Sequence, residues 1–198
     1  MRSVALAVIL FFGAAAAGAQ MTSPSAASGF YRADAGLSYH WVHSNTQPAD
    51  CGCFNLNGGG ISAAWLLPAR WSAVAEVSSE IAHNGPGTGN SLTLVSYLGG
   101  ARYQISAVGA QRSHPLLPFV QILAGASHAG GGIAGAGDGA YAFESRAGGG
   151  FDLPLTDRVA LRLVQVDYDA TTFSNGVNDH QNNVLIGAGV VFHLFRVQ

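Results

Sequence analysis

NNVLIGAGVVFHLF, residues 182–195, decides the fold. Apolar side chains recur at every second position through Val184, Ile186, Ala188, Val190, Phe192 and Leu194. The other parity holds Gly187, Gly189, Val191 and His193. A period of two makes a pleated strand with two unlike faces. The run is about twice as long as a common strand of roughly five or six residues. A long, two-faced strand near the C-terminus is therefore expected.

The same alternation recurs upstream. Residues 34–44 set Ala35, Leu37, Tyr39 and Trp41 against Asp34, Gly36, Ser38 and His40. Residues 54–67 put Ile61, Ala63, Trp65 and Leu67 in phase, interrupted by Gly58, Gly59 and Gly60, which are read as a bulge or bend. Further strands are expected over 71–82, 92–103, 116–128, 140–152 and 158–171. Connections rich in Pro, Gly, Asn and Asp separate them. Those after the first, third, fifth and seventh strands are long. The turns at 68–70 and 153–157 are short, and 104–115 is longer than its position prefers.

Composition points the same way. Charged residues are 10%, against roughly 25% in a typical soluble protein. All nine basic residues are Arg. After the N-terminus no run of about 18 apolar residues occurs, which excludes transmembrane helices. Low charge without apolar runs is what alternating membrane strands produce, one face in lipid and one toward a lumen. The net charge of -2 gives no sign of nucleic-acid binding. Residues 1–19, with Arg2, an apolar core and Ala17-Gly18-Ala19, read as a secretory signal peptide, leaving one domain over 20–198.

These stretches resemble a known family. RLVQVDY (162–168), LGGARY (98–103), PFVQILAG (118–125) and AGVVFHL (188–194), in this order and spacing, are similar to small bacterial outer-membrane β-barrels. The likeness is to the transmembrane domain of outer-membrane protein A. It implies an all-β fold, an eight-stranded antiparallel up-and-down transmembrane β-barrel in the outer membrane. It also implies that Val190, Phe192 and Leu194 face lipid in a closing strand read by the barrel-assembly machinery. Contact with outer-membrane lipids and lipopolysaccharide follows, and a monomer is expected. Aromatic belts are expected at Trp65, Trp71, Tyr103, Phe151 and Phe192 on one side. The other belt would hold Tyr39, Trp41, Phe54, Tyr141, Phe143 and Tyr168.

The inward parity collects Glu76, Glu80, Arg102, Glu144, Arg146, Asp152 and Asp167, with Gln121 and Gln165. An Arg facing lipid near the midplane costs about 2–4 kcal/mol, which forces this phase. A small barrel fills its interior with side chains, so these charges should pair across strands into an ionic core. The same charges could otherwise line a narrow pore. Arg162 shares parity with Val164 and Val166, so a bulge or an interfacial position is required there.

Cys51 and Cys53 can form a disulfide, although one across a single residue is strained. His43, His83, His128 and His180 fall at the long-loop end. They read as separate solvated side chains rather than metal ligands, so no metal or cofactor is expected. No His-x-Ser pair of the kind carried by outer-membrane lipid A deacylases is present, nor a Gly-x-Ser-x-Gly elbow. The function expected is non-enzymatic: a structural or surface-interaction role through the loops. A lipid-acting enzyme, a narrow pore and a soluble lipocalin-like binder are the alternatives.

Overall fold

The computed structural model describes residues 31–45, 53–83, 91–109, 114–131, 139–173 and 180–196. The expected signal peptide, Cys51 and the Cys53 side chain lie outside them. Eight strands follow in order: β1 (Tyr31–Asn45), β2 (Cys53–Leu66), β3 (Trp71–Ala82), β4 (Leu92–Gln104), β5 (Leu117–Gly131), β6 (Ala140–Pro154), β7 (Val159–Thr171) and β8 (Gln181–Arg196). Each pairs antiparallel with its neighbours, and β8 closes on β1 to make a barrel. Closure removes every sheet edge. No described helix is long and apolar enough to cross a membrane, a statement that leaves strand-built spans untouched.

The strands form where alternation was read, with β1 and β5 running a few residues longer. The glycine triplet is not a bulge. β2 pairs without interruption with β1 and β3 through Gly58, Gly59 and Gly60. These glycines instead answer close approach. A Cβ on Gly60 would lie 2.9 Å from His40 Cε1 and 3.1 Å from Ser78 Cβ.

The irregularity required near Arg162 is a true β-bulge. Arg162 faces Gly189 and Gln165 faces Gly187, so Leu163 and Val164 of β7 stand against the single Ala188 of β8. The same slip appears toward β6, where Asp152 faces Arg162 and Phe151 faces Val164. The extra residue switches the strand's parity. Arg162, Gln165, Asp167 and Asp169 are all buried as a result, while Leu163 and Val166 are exposed.

The longer β4–β5 connection is tied down by paired backbone at Val108 and Leu116. Arg70 Nη1 donates to Ser106 Oγ at 2.6 Å, and a His114 ring nitrogen meets the Pro154 carbonyl at 2.8 Å. These contacts join the three turns at the end that also receives the N-terminal end of β1.

Outward side chains are apolar around the whole barrel, including Leu37, Ile61, Val77, Ile122, Val166 and Ile186. Phe192 and Leu194 are exposed on β8, and Val190 is half-buried. Trp65, Trp71 and Phe151 are exposed toward the turn end; Tyr39, Tyr141, Phe143 and Tyr168 toward the loop end. Phe54 departs from its expected place in the outer belt. It shares the inward parity of Leu56 and packs into the interior, because the belt reading used its height on the strand and not its face.

Candidate functional site

The interior is the candidate site, and it is layered. At the loop end Val42, Leu56, Ala82, Leu94, Ala129, Ala142, Phe173 and Leu185 form one buried apolar cluster. Seven strands each supply one member, and Phe173 lies two residues past the end of β7. Phe54, Leu92 and Ala140 pack against it. This layer was not read from the sequence. Its members are spread one per strand, so no local stretch looks more apolar than its neighbours.

Below it lies the first charged group. Arg146 Nη1 donates to Glu76 Oε1 at 2.6 Å and Nη2 to Glu144 Oε1 at 2.7 Å. Ser96 Oγ donates to Glu144 Oε2 at 2.6 Å. Arg146 is only 1% exposed and Glu144 0%. One guanidinium therefore joins carboxylates from β3 and β6. Asp169, paired with Arg146 in the β6–β7 register, adds a further buried carboxylate, on the same inward parity as Gln165 and Asp167.

Glu80 takes a different partner. Its Oε1 lies 2.9 Å from His40 Nδ1, and His40 Nε2 lies 2.7 Å from Ser38 Oγ. His40 is completely buried. Its ring sits between two glycines, since a Cβ on Gly187 would come within 3.1 Å of His40 Cδ2 and one on Gly60 within 2.9 Å of Cε1.

Toward the turn end Arg162 Nε and Nη2 donate to the two oxygens of Asp152, at 2.9 and 3.1 Å. Its Nη1 donates to Gln165 Oε1 at 3.0 Å. Gln165 and Gln121 in turn donate to Asp167. Arg102 gives two hydrogen bonds to Gln121 Oε1, so Arg102 and Asp167 share one network with an amide between them rather than a direct ion pair. Phe119 lies between the two guanidiniums, 4.7 Å from Arg102 and 4.5 Å from Arg162. Such stacking suits a buried arginine. Neither Phe119 nor His40 was singled out from the sequence, although the inward parity of their strands would have found both.

The loop-end histidines do not converge. His43 meets Asn55 at 2.8 Å and stacks on Trp41, and His128 lies tilted against Tyr141, ring centroids 4.5 Å apart. His83 and His180 are exposed. Among the described residues no group of three or more His, Cys, Asp or Glu is placed to hold a metal ion.

No protein-family model matches the chain, and no curated protein sequence does. Solved structures do. The chain is similar to Neisserial surface protein A over 82% of its own length and 97% of that chain, at 14% identity and a TM-score of 0.59. The N-terminal β-barrel domain of Pseudomonas aeruginosa OprF matches 80% of this chain and 96% of that one, at 15% identity and a TM-score of 0.44. The Yersinia pestis attachment invasion locus protein Ail, solved with the heparin analogue sucrose octasulfate, matches over 81% and 99%, at 13% identity and 0.42. With its closed eight-stranded sheet and the match to Neisserial surface protein A, the chain carries the fold of the small eight-stranded outer-membrane β-barrels.

Proposed function

We propose that this chain is an integral outer-membrane barrel with a closed lumen, serving a structural or surface-interaction role through the four connections at its loop end. The observation that carries the reading is the pairing of an apolar exterior with a filled interior. Leu37, Ile61, Ile122 and Phe143 are more than half exposed, a pattern suited to hydrocarbon and costly in water. Inside, the apolar cluster at one end and the Arg146 and Arg162 networks below it leave side chains where a conducting path would need water. In a barrel of about eight strands the interior is just wide enough for side chains. The likeness in fold to a protein named for the neisserial surface agrees with outer-membrane placement.

The experiment is fractionation with heat-modifiable gel migration, followed by reconstitution in planar bilayers. The reading expects a heat-modifiable band in the outer-membrane fraction and no large, steady channels. Soluble periplasmic protein would support the lipocalin-like alternative. Steady conductance would mean that the charged side chains line a water-filled path.

A further inference from the structure

Charge beyond the buried groups is divided between the two ends of the barrel. Of the eight arginines after residue 20, Arg102, Arg146 and Arg162 are buried inside. The other five belong to the turn end by their place in the chain. Arg32 is near the start of β1, Arg70 and Arg158 are in turns, Arg112 falls between β4 and β5, and Arg196 ends β8. Only Asp34 and Asp157 accompany them, and Asp34 already meets a His193 ring nitrogen at 2.7 Å. The connections at the loop end carry Asp50, Asp138 and Asp179 and no arginine or lysine. One end is therefore cationic and the other anionic.

Arg70 is where this charge is built into the backbone. Pro68-Ala69-Arg70 joins β2 to β3, and the Leu67 amide closes the turn by donating to the Trp71 carbonyl at 2.8 Å. Ala69 and Arg70 both stand in the left-handed region, at φ 59° and 67°. A tight hairpin turn takes two such residues, and asparagine or glycine usually supplies them. This chain has 27 glycines and places none here. A long charged side chain kept where the backbone disfavours it points to a use for that side chain.

The surroundings of Arg70 indicate the use. The residue is exposed, and its Nη1 donates to Ser106 Oγ on the neighbouring connection at 2.6 Å. That bond takes one of the five N–H groups of the fork. Trp65 and Trp71 are exposed outward on either side of the turn, with Trp71 against Tyr103 at 5.0 Å between ring centroids. Tryptophan and tyrosine in such a border sit at the level of lipid headgroups. The guanidinium beside them stands at the height of the phosphates.

We propose that the turn end, at Arg70, holds the phosphate of an anionic phospholipid, whose acyl chains lie along Trp65 and Trp71. The inference rests on the outer-membrane reading above, in which this end meets the periplasmic leaflet. An arginine fork pairs bidentately with phosphate. The surplus of arginine favours a headgroup of net negative charge over a zwitterionic one, by about fivefold for each arginine at the surface. The loop end, with aspartates alone, has no such preference.

The test uses the barrel's own tryptophans. Trp41 lies toward the loop end, Trp65 and Trp71 at the turn end. Trp41→Phe protein is refolded into mixed vesicles, and its fluorescence is quenched with brominated phosphatidylglycerol or brominated phosphatidylcholine of matched acyl chains. Both leaflets carry the same lipids, so the direction of insertion does not matter. The turn-end tryptophans should select phosphatidylglycerol about fivefold. Trp41 alone, in a Trp65→Phe, Trp71→Phe protein, should show no selection. Arg70→Gly relieves the left-handed backbone, so the barrel should stay folded while most of the selection disappears. Ser106→Ala, which removes only the tie between connections, should keep it. The inference is overturned if both lipids quench the turn end equally, if Trp41 reports the same ratio, or if Arg70→Gly leaves the ratio unchanged. A heat-modifiable band from the same vesicles makes a missing preference count against this inference and not against the outer-membrane reading. Absence of the band removes that reading and this inference with it.

Discussion

Arg146 is the residue on which the buried charge of the upper interior turns. It holds Glu76 and Glu144 through bonds of 2.6 and 2.7 Å, with all three side chains almost fully buried. Arg146→Ala would leave both carboxylates without their cation, at a cost of about 3–5 kcal/mol. Urea unfolding in detergent, followed by gel migration, should show that loss. Arg158→Ala, at an exposed position, should stay within about 0.5 kcal/mol of wild type. Gly60→Val tests the other side of the interior, where the new side chain meets His40 and Ser78. Overpacking of this kind costs about 1–3 kcal/mol, and the same unfolding measurement checks it. At this scale the inward positions of Arg146, Glu76 and Glu144 were legible from parity alone. Their particular partners were not, because neighbours along a strand say nothing about which residues meet across the barrel.

At the scale of the element, β7 carries one residue more than its ladders need. Deleting Leu163 would place Arg162 and Gln165 two positions apart and make pairing with both β6 and β8 regular. The deletion variant should therefore still give a heat-modifiable band. Deleting Ala124, within the unbroken β5 ladders, would turn one half of that strand inside out and should abolish the band. β8 offers the complementary test. Phe192 is exposed on the barrel's outside, opposite Ala35 of β1 and Val159 of β7. Phe192→Asp should block assembly and leave the chain open to periplasmic proteases. The need for an irregularity was visible in the clash between Arg162 and the apolar parity of its neighbours. That it is a bulge, with Arg162 bound to Asp152, was decided by the register of two other strands.

At the scale of the whole molecule the connections after β1, β3, β5 and β7 fall at one end of a closed barrel, and those after β2, β4 and β6 at the other. If the loop end faces outward, as the proposed function requires, Cys51 and Cys53, at the loop-end start of β2, lie outside the cell. An impermeant maleimide applied to intact cells after mild reduction should then label them, whereas labelling only after outer-membrane disruption would invert the orientation. The sequence by itself determined the strand count, the outward face of the strands and most of the charges that turn inward, Arg162 and Asp169 excepted. It could do so because a period of two and the cost of charge in lipid are local properties, readable strand by strand. Only the tertiary structure decided the apolar layer at the loop end, the amide that separates Arg102 from Asp167, and the line from Ser38 through His40 to Glu80. Each of these joins residues from different strands, and barrel curvature and register, not sequence neighbours, set which side chains share a level of the lumen.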